Sequence, residues 1–147
     1  MAESEERLDV EVAVERLNAA LVLQNRSALQ YTLTSGSLFG FEFQSLGDKL
    51  WEFAASEMAD ARLLVEKIVA LGGTPATEVA ELRWSGEPSS AVDWLIESEG
   101  EAIEALAEAI EPTGREGRSE ALEHLLEHLI MRKQNQVDFL VRSRRTS

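Results

Sequence analysis

Residues 46–75, LGDKLWEFAASEMADARLLVEKIVALGGTP, decide the fold. Leu46, Leu50, Phe53, Glu57, Ala61, Leu64, Ile68 and Leu71 recur at steps of three and four, the spacing that lines one face of an α-helix. Gly72-Gly73 followed by Pro75 supplies a stop: glycine takes the left-handed backbone that closes a helix, and proline cannot continue one. The spacing therefore predicts a helix over about Glu42 to Leu71. In the middle of its apolar stripe stand two acids, Glu57 and Asp60.

Three further segments read the same way. Upstream, Asp9 is the expected N-cap of a helix reaching Ser35, with Val14, Leu17, Leu21, Gln24, Ala28 and Tyr31 on one face; Gly36 and Gly40 are expected to break it. Downstream, a helix is expected to start at Ser89 or Ser90. It carries Val92, Ile96, Glu99, Ile103, Leu106 and Ile110, and stops at Pro112 and Gly114. A last helix from about Ser119 to Arg144 turns Leu122, Leu126, Leu129, Lys133, Val137 and Leu140 inward.

Each stripe is interrupted at similar depth, by Gln24, by Glu57 with Asp60, by Glu99, and by Lys133 with Gln136. Burying charge costs several kcal/mol per ion unless it is paired, hydrogen-bonded or bound to metal, so four interruptions point to one shared internal site.

Residues 72–88, rich in Gly, Thr, Pro and Ser, read as a long connection crossing the outside of the bundle. Two antiparallel helical hairpins joined by one long crossover make an all-α four-helix bundle of the ferritin-like type. A chain of 147 residues is the size of one such domain, expected to span 1–147 with residues 1–8 a flexible N-terminus.

Composition removes several functions. With no Cys, neither disulfides nor thiolate metal sites are available. The net charge is −13, with eight carboxylates and no Lys or Arg from Glu87 to Glu111, a distribution that repels nucleic acid. Arg142, Arg144 and Arg145 read as a frayed, solvated helix end rather than an anion site. The N-terminal residues carry no apolar signal segment and no run is long enough to span a bilayer, so the expectation is a cytoplasmic protein without a membrane partner.

Leu17-Asn18-Ala19-Ala20-Leu21 and Leu29-Gln30-Tyr31 resemble the LNxxL and NQY patterns of the bacterioferritin and ferritin branch of the ferritin-like superfamily. Asp60-Ala-Arg-Leu-Leu-Val-Glu66-Lys-Ile-Val-Ala-Leu-Gly72 is similar to that family's HADxxIERIxxLEG stretch, and Gln136-Val-Asp-Phe-Leu140 to its HIDWL. The resemblance covers nearly the whole chain. Leu71-Gly-Gly-Thr-Pro-Ala-Thr77 also looks like the helix end of the DNA-protecting mini-ferritins.

The resemblance implies a di-iron centre built from one Glu on each of two helices and a Glu-x-x-His on each of the other two. The six positions fall on Gln24, Glu57, Asp60, Glu99, Lys133 and Gln136. Two carboxylates are kept, Asp60 is a third oxygen ligand in place of His, and Lys133 stands where a bridging carboxylate belongs. A protonated ammonium cannot ligate a metal, and its charge supplies what a cation would have supplied. Lys133 is therefore expected to be the counterion of Glu57, Glu99 and Asp60, its choice between Glu57 and Glu99 left open, with Gln24 and Gln136 completing the hydrogen bonds and Tyr31 reaching an internal carboxylate.

The expected function is a ferritin-like protein of the iron-handling superfamily with a degenerate, non-catalytic ferroxidase centre and no resident cofactor. Two alternatives stand beside it. One is an iron-storing or ferroxidase ferritin or mini-ferritin holding iron or manganese on Glu57, Asp60 and Glu99; the other is an oligomeric scaffold for another protein. The mini-ferritin intersubunit site is itself altered, its acidic pair falling on Arg62 and Glu66.

His124 and His128, four apart, read as solvated surface histidines rather than a metal pair, and Met58 as packing rather than a haem ligand. Trp51, Trp84 and Trp94, with Val10, Val12 and Val22, lie off the stripes and imply a homo-oligomer, dimeric or larger.

Overall fold

The computed structural model describes residues 8–111 and 117–144, so the expectations resting on residues 1–7, Pro112, Gly114 and Arg145 lie outside the described residues. Helix α1 spans Val10–Ser37. Asp9 is its N-cap, and its side chain accepts a hydrogen bond from the Val12 amide at 3.3 Å, satisfying one of the donors a helix start leaves free. Gly36 does not break the helix, which runs on to Ser37. The break comes at Gly40, whose φ of 100° few other residues adopt. A 3-10 turn, Phe41–Phe43, leads into α2, Gln44–Ala70.

The α2 terminus closes as its glycines require. Gly72, at φ 86°, donates to the Val69 carbonyl at 2.9 Å and Gly73 donates to the Ile68 carbonyl at 2.8 Å, the paired bonds of a Schellman cap. At Gly73 the chain also passes so close to α1 that an added Cβ would sit 2.6 Å from a Val14 methyl.

The crossover then runs up the flank of α1. Asn18 donates to the Thr74 carbonyl (2.9 Å) and accepts from the Ala76 amide (2.8 Å); the Ala80 amide donates to the Val22 carbonyl (3.3 Å); Trp84 Nε1 donates to Ser37 Oγ (2.7 Å). With the chain returned to the top of the bundle, α3 (Pro88–Ile110) descends parallel to α2, and α4 (Gly117–Arg144) returns beside α3. The start of α3 corrects the sequence reading. Pro88 occupies the first helical position, where its fixed φ and missing N–H cost nothing, so Glu87 and not Ser89 or Ser90 is the cap residue.

The result is two antiparallel hairpins joined by a long crossover, with no strand among the described residues. Leu8, just before the N-cap, is buried in the lower core. On α3, Leu95, Ala102 and Ala109 are buried beside Val92, Glu99 and Leu106, while Ile96, Ile103 and Ile110 are only half-buried.

The interior has three layers. Leu17, Leu21, Leu64, Ile68, Leu106, Leu126 and Leu129 build an apolar lower core. Tyr31, Leu50, Ala54, Val92, Leu95 and Leu140 build a smaller upper one. The polar interruptions of all four stripes lie between them.

Candidate functional site

Gln24 and Tyr31 of α1, Glu57 of α2, Glu99 of α3, and Lys133 and Gln136 of α4 converge in this middle layer, every one at most 4 % exposed. Lys133 Nζ donates to Glu57 Oε2 at 2.7 Å and to Glu99 Oε1 at 3.0 Å, so it pairs with both acids. Around this core the polar side chains complete one another. Gln24 Nε2 donates to Glu57 Oε2 and, at 2.9 Å, to the Glu57 carbonyl. Gln136 Nε2 donates to Glu57 Oε1 at 2.6 Å and reaches Glu99 Oε2 at 3.3 Å. The Tyr31 hydroxyl donates to Glu99 Oε2 at 3.2 Å.

Ser27 is the member that the sequence reading missed. Its hydroxyl donates to Glu99 Oε1 at 2.5 Å and lies 3.4 Å from Lys133 Nζ. The available signal was its place three residues after Gln24 on the same helix face.

Two ionised acids and one ammonium would leave a buried net charge of −1, and the site removes it by holding a proton. Burial pushes the Glu57 carboxyl up to about 8, Lys133 opposing and Glu99 reinforcing the rise. Burial acts on Glu99 in the same sense, but the Lys133 charge and hydrogen bonds from Glu57, Ser27 and Lys133 outweigh it and hold Glu99 below the usual carboxylate range. Lys133 is raised: burial disfavours its charge, and the two acids more than restore it. The opposite shifts make Glu57 the acid that favours keeping a proton and Glu99 the acid that favours its charge, with the Lys133 ammonium beside both. Tyr31, buried next to both acids, is raised well above its ordinary value and stays a phenol.

Asp60 departs from its expected place. It is buried, yet its ion pair is with Arg132 at 3.3 Å and not with Lys133. Burial raises its pKa, with Arg132 the main opposing charge. The cause is rotational: three residues past Glu57, its side chain leaves α2 on the flank nearer Arg132.

The other candidates lie elsewhere. His124 and His128 are both exposed. Met58 is 57 % exposed and so does not pack in the core. Trp51 and Trp84 face outward, whereas Trp94 is half-buried and lies between two guanidinium groups, Arg83 at 4.1 Å and Arg26 at 5.3 Å from its ring centre. Trp94 is therefore a stacking residue within the chain. Arg144 is likewise no frayed end; it pairs with Asp93 of α3 at 2.7 Å.

Among the described residues no group of three or more His, Asp or Glu side chains converges as a metal site would. No helix among them is long and apolar enough to cross a membrane.

No curated protein is similar enough in sequence to count as a relative. Solved structures are similar in fold. A ferritin-like, diiron-carboxylate protein from Bacillus anthracis str. Ames shares 25 % identity over 92 % of this chain and 97 % of its own, with a TM-score of 0.86. The bacterioferritin of Rhodobacter capsulatus, described with a metal-free dinuclear site and haem iron, shares 24 % identity over 91 % of this chain and 84 % of its own, with a TM-score of 0.83. The model of the ferritin-like domain matches residues 14–142, and with the four helices, the crossover and the convergence of the four interrupted stripes this places the chain in the ferritin-like family.

Proposed function

We propose that this protein is a non-catalytic member of the iron-handling superfamily, its di-iron position closed by an internal ion-pair network. The observation that carries the reading is Lys133 Nζ, 2.7 and 3.0 Å from the two acids that would have been metal ligands. The donor set present does not suit a di-iron pair. A cation already neutralises the carboxylates, and Gln24, Gln136, Ser27 and Tyr31 direct N–H and O–H groups at the oxygen lone pairs a metal would use. Asp60, tied to Arg132, is not free to supply the missing oxygens.

Metal analysis after expression with added iron or manganese tests this reading. The expected result is no stoichiometric metal. About one or more ions per chain, lost on Glu57→Ala, would overturn it. The converse test is the triple variant Gln24→Glu, Lys133→Glu, Gln136→His, which is expected to bind metal; a folded but inert triple variant would mean that these are not the former ligand positions.

The outer face supports assembly into a homo-oligomer. Leu29 and Leu33 of α1 and Trp51 and Met58 of α2 are exposed, between 38 % and 60 %. Size-exclusion chromatography with light scattering separates the alternatives: a dimer fits an interaction protein, and only a closed cage supports iron storage. At the positions of the mini-ferritin acidic pair, Arg62 and Glu66 form a surface ion pair at 3.0 Å, which argues against a metal site there.

A further inference from the structure

The seam between α2 and α4 carries a groove of about 570 Å³, within the size range of small-molecule sites. Lys49, Phe53 and Ser56 line it from α2, and Arg132, Gln136 and Arg142 from α4, with Phe139 beside them. The helix register sets its layout. Phe53 meets Phe139 edge-on, ring centres 5.5 Å apart, and seven residues down α2 Asp60 meets Arg132, seven residues up the chain from Phe139. Continuing that antiparallel register one turn the other way brings Lys49 level with Arg142.

The groove therefore has an aromatic middle and two cationic ends, and the ends differ. Arg132 is held by the buried Asp60. Lys49 pairs with Glu52, an i,i+3 pair at 3.3 Å whose side chains are 45 % and 68 % exposed, and its ammonium lies 5.6 Å from the centre of the Phe53 ring; such exposed pairs contribute little. Among the described residues Arg142 has no ion-pair partner. Of the three cations that line it, Arg132 is matched by Asp60 and Lys49 by the exposed Glu52, which leaves the groove an excess of one positive charge on a chain of net charge −13. Its floor is the Gln136 side chain, which hydrogen-bonds into the Glu57–Glu99–Lys133 centre.

We propose that the α2–α4 groove is a binding site for a small amphipathic carboxylate, its head between Lys49 and Arg142 and its apolar body across Phe53 and Phe139. The head displaces Glu52 from Lys49, an exchange of one exposed carboxylate for another. The body covers aromatic surface that the bundle leaves half-buried, and stops at Arg132, whose charge Asp60 already satisfies. Both parts of the ligand are needed: a bare anion gains nothing from the rings, and an uncharged apolar molecule leaves the cations without a partner.

The test is titration of 3-phenylpropionate into the full chain, followed by calorimetry and by the NMR signals of the Gln136 and Asn135 side-chain amides. Saturable binding of one molecule per chain is expected, weakened about tenfold or more in the Lys49→Ala, Arg142→Ala double variant and unchanged in Arg62→Ala. The matched alcohol, 3-phenylpropanol, is expected to bind about tenfold or more weakly, and inorganic phosphate not to saturate. Phe139→Leu, which keeps an apolar side chain so that the bundle folds, is expected to weaken binding of the carboxylate severalfold.

No saturable binding at millimolar carboxylate overturns the proposal, as does equal binding by the double variant. Phosphate binding as well as the carboxylate overturns the amphipathic part, showing a site for anions in general. None of these outcomes depends on whether the protein binds metal.

Discussion

The lower core and the middle layer are built on the same four helices and are equally inaccessible to water, yet they hold together by opposite means. Below, Leu17, Leu64, Ile68 and Leu126 gain stability simply by leaving water, and each contributes on its own account. In the middle, Glu57, Glu99 and Lys133 lose hydration and recover it only from one another. The lower core is a sum of parts; the middle layer is stable only as a set.

The largest difference between the two should appear when one member of the set is removed. Lys133→Met keeps the length and bulk of the side chain and removes the charge, leaving two buried acids without a counterion. A loss of about 3–5 kcal/mol is expected in urea unfolding, as for other broken buried pairs. Leu64→Ala, a simple cavity in the lower core, is expected to lose about 2–5 kcal/mol. The comparison sharpens when Glu57→Gln and Glu99→Gln are added to Lys133→Met. The triple variant should recover much of the loss because no charge remains buried, while a second truncation in the lower core only adds to the first. If Lys133→Met loses less than about 1 kcal/mol, the acids do not depend on Lys133 and the set is not one unit.

A smaller effect separates the two layers by pH. Glu57 is raised in the folded chain, so folding favours its protonated form; the stabilisation is complete below the ordinary Glu value of 4.5 and is lost as pH rises through about 8. Glu99 is lowered, so its contribution fades only on acidification below that ordinary value, and Lys133 is raised, so its contribution fades only at alkaline pH. Between pH 5 and 8 stability should therefore fall, on the order of 1 kcal/mol per pH unit, as the unfolded chain gives up a proton that the folded chain keeps. Glu57→Gln should flatten that slope, and Leu64→Ala should leave it intact. Melting temperatures across the range measure both.

The smallest effect belongs to the surface. Arg62→Ala breaks an i,i+4 pair whose side chains are 83 % and 56 % exposed, and about 0.5 kcal/mol or less is expected.

Much of this was legible in the residues. Helix α2, from its stripe to its Gly72-Gly73 stop, follows from spacing and backbone chemistry, and so does the N-cap at Asp9. Gln24, Glu57, Glu99, Lys133 and Gln136 are recognisable because each interrupts an apolar stripe at the same depth. What misled was rotation about a helix axis. On α3 the positions three and four residues after Val92 flank the stripe on opposite sides, and the more apolar side chain, Ile96, is not the buried one; Leu95 is. Which flank faces inward depends on where α1 and α4 pack. The same ambiguity put Asp60 with Lys133, although the fold turns it to Arg132.

The sequence by itself determined the helices, their order, the crossover and the depth of a polar layer, because these depend on spacing along one chain and on backbone preferences that act locally. Only the tertiary structure decided the partners: that Lys133 pairs with both acids, that Ser27 completes the set, and that Lys49 and Arg142 line one groove. Hydrogen bonds and ion pairs act over a few ångströms, and those distances between residues far apart in the chain exist only once the helices have packed at a particular rotation and register.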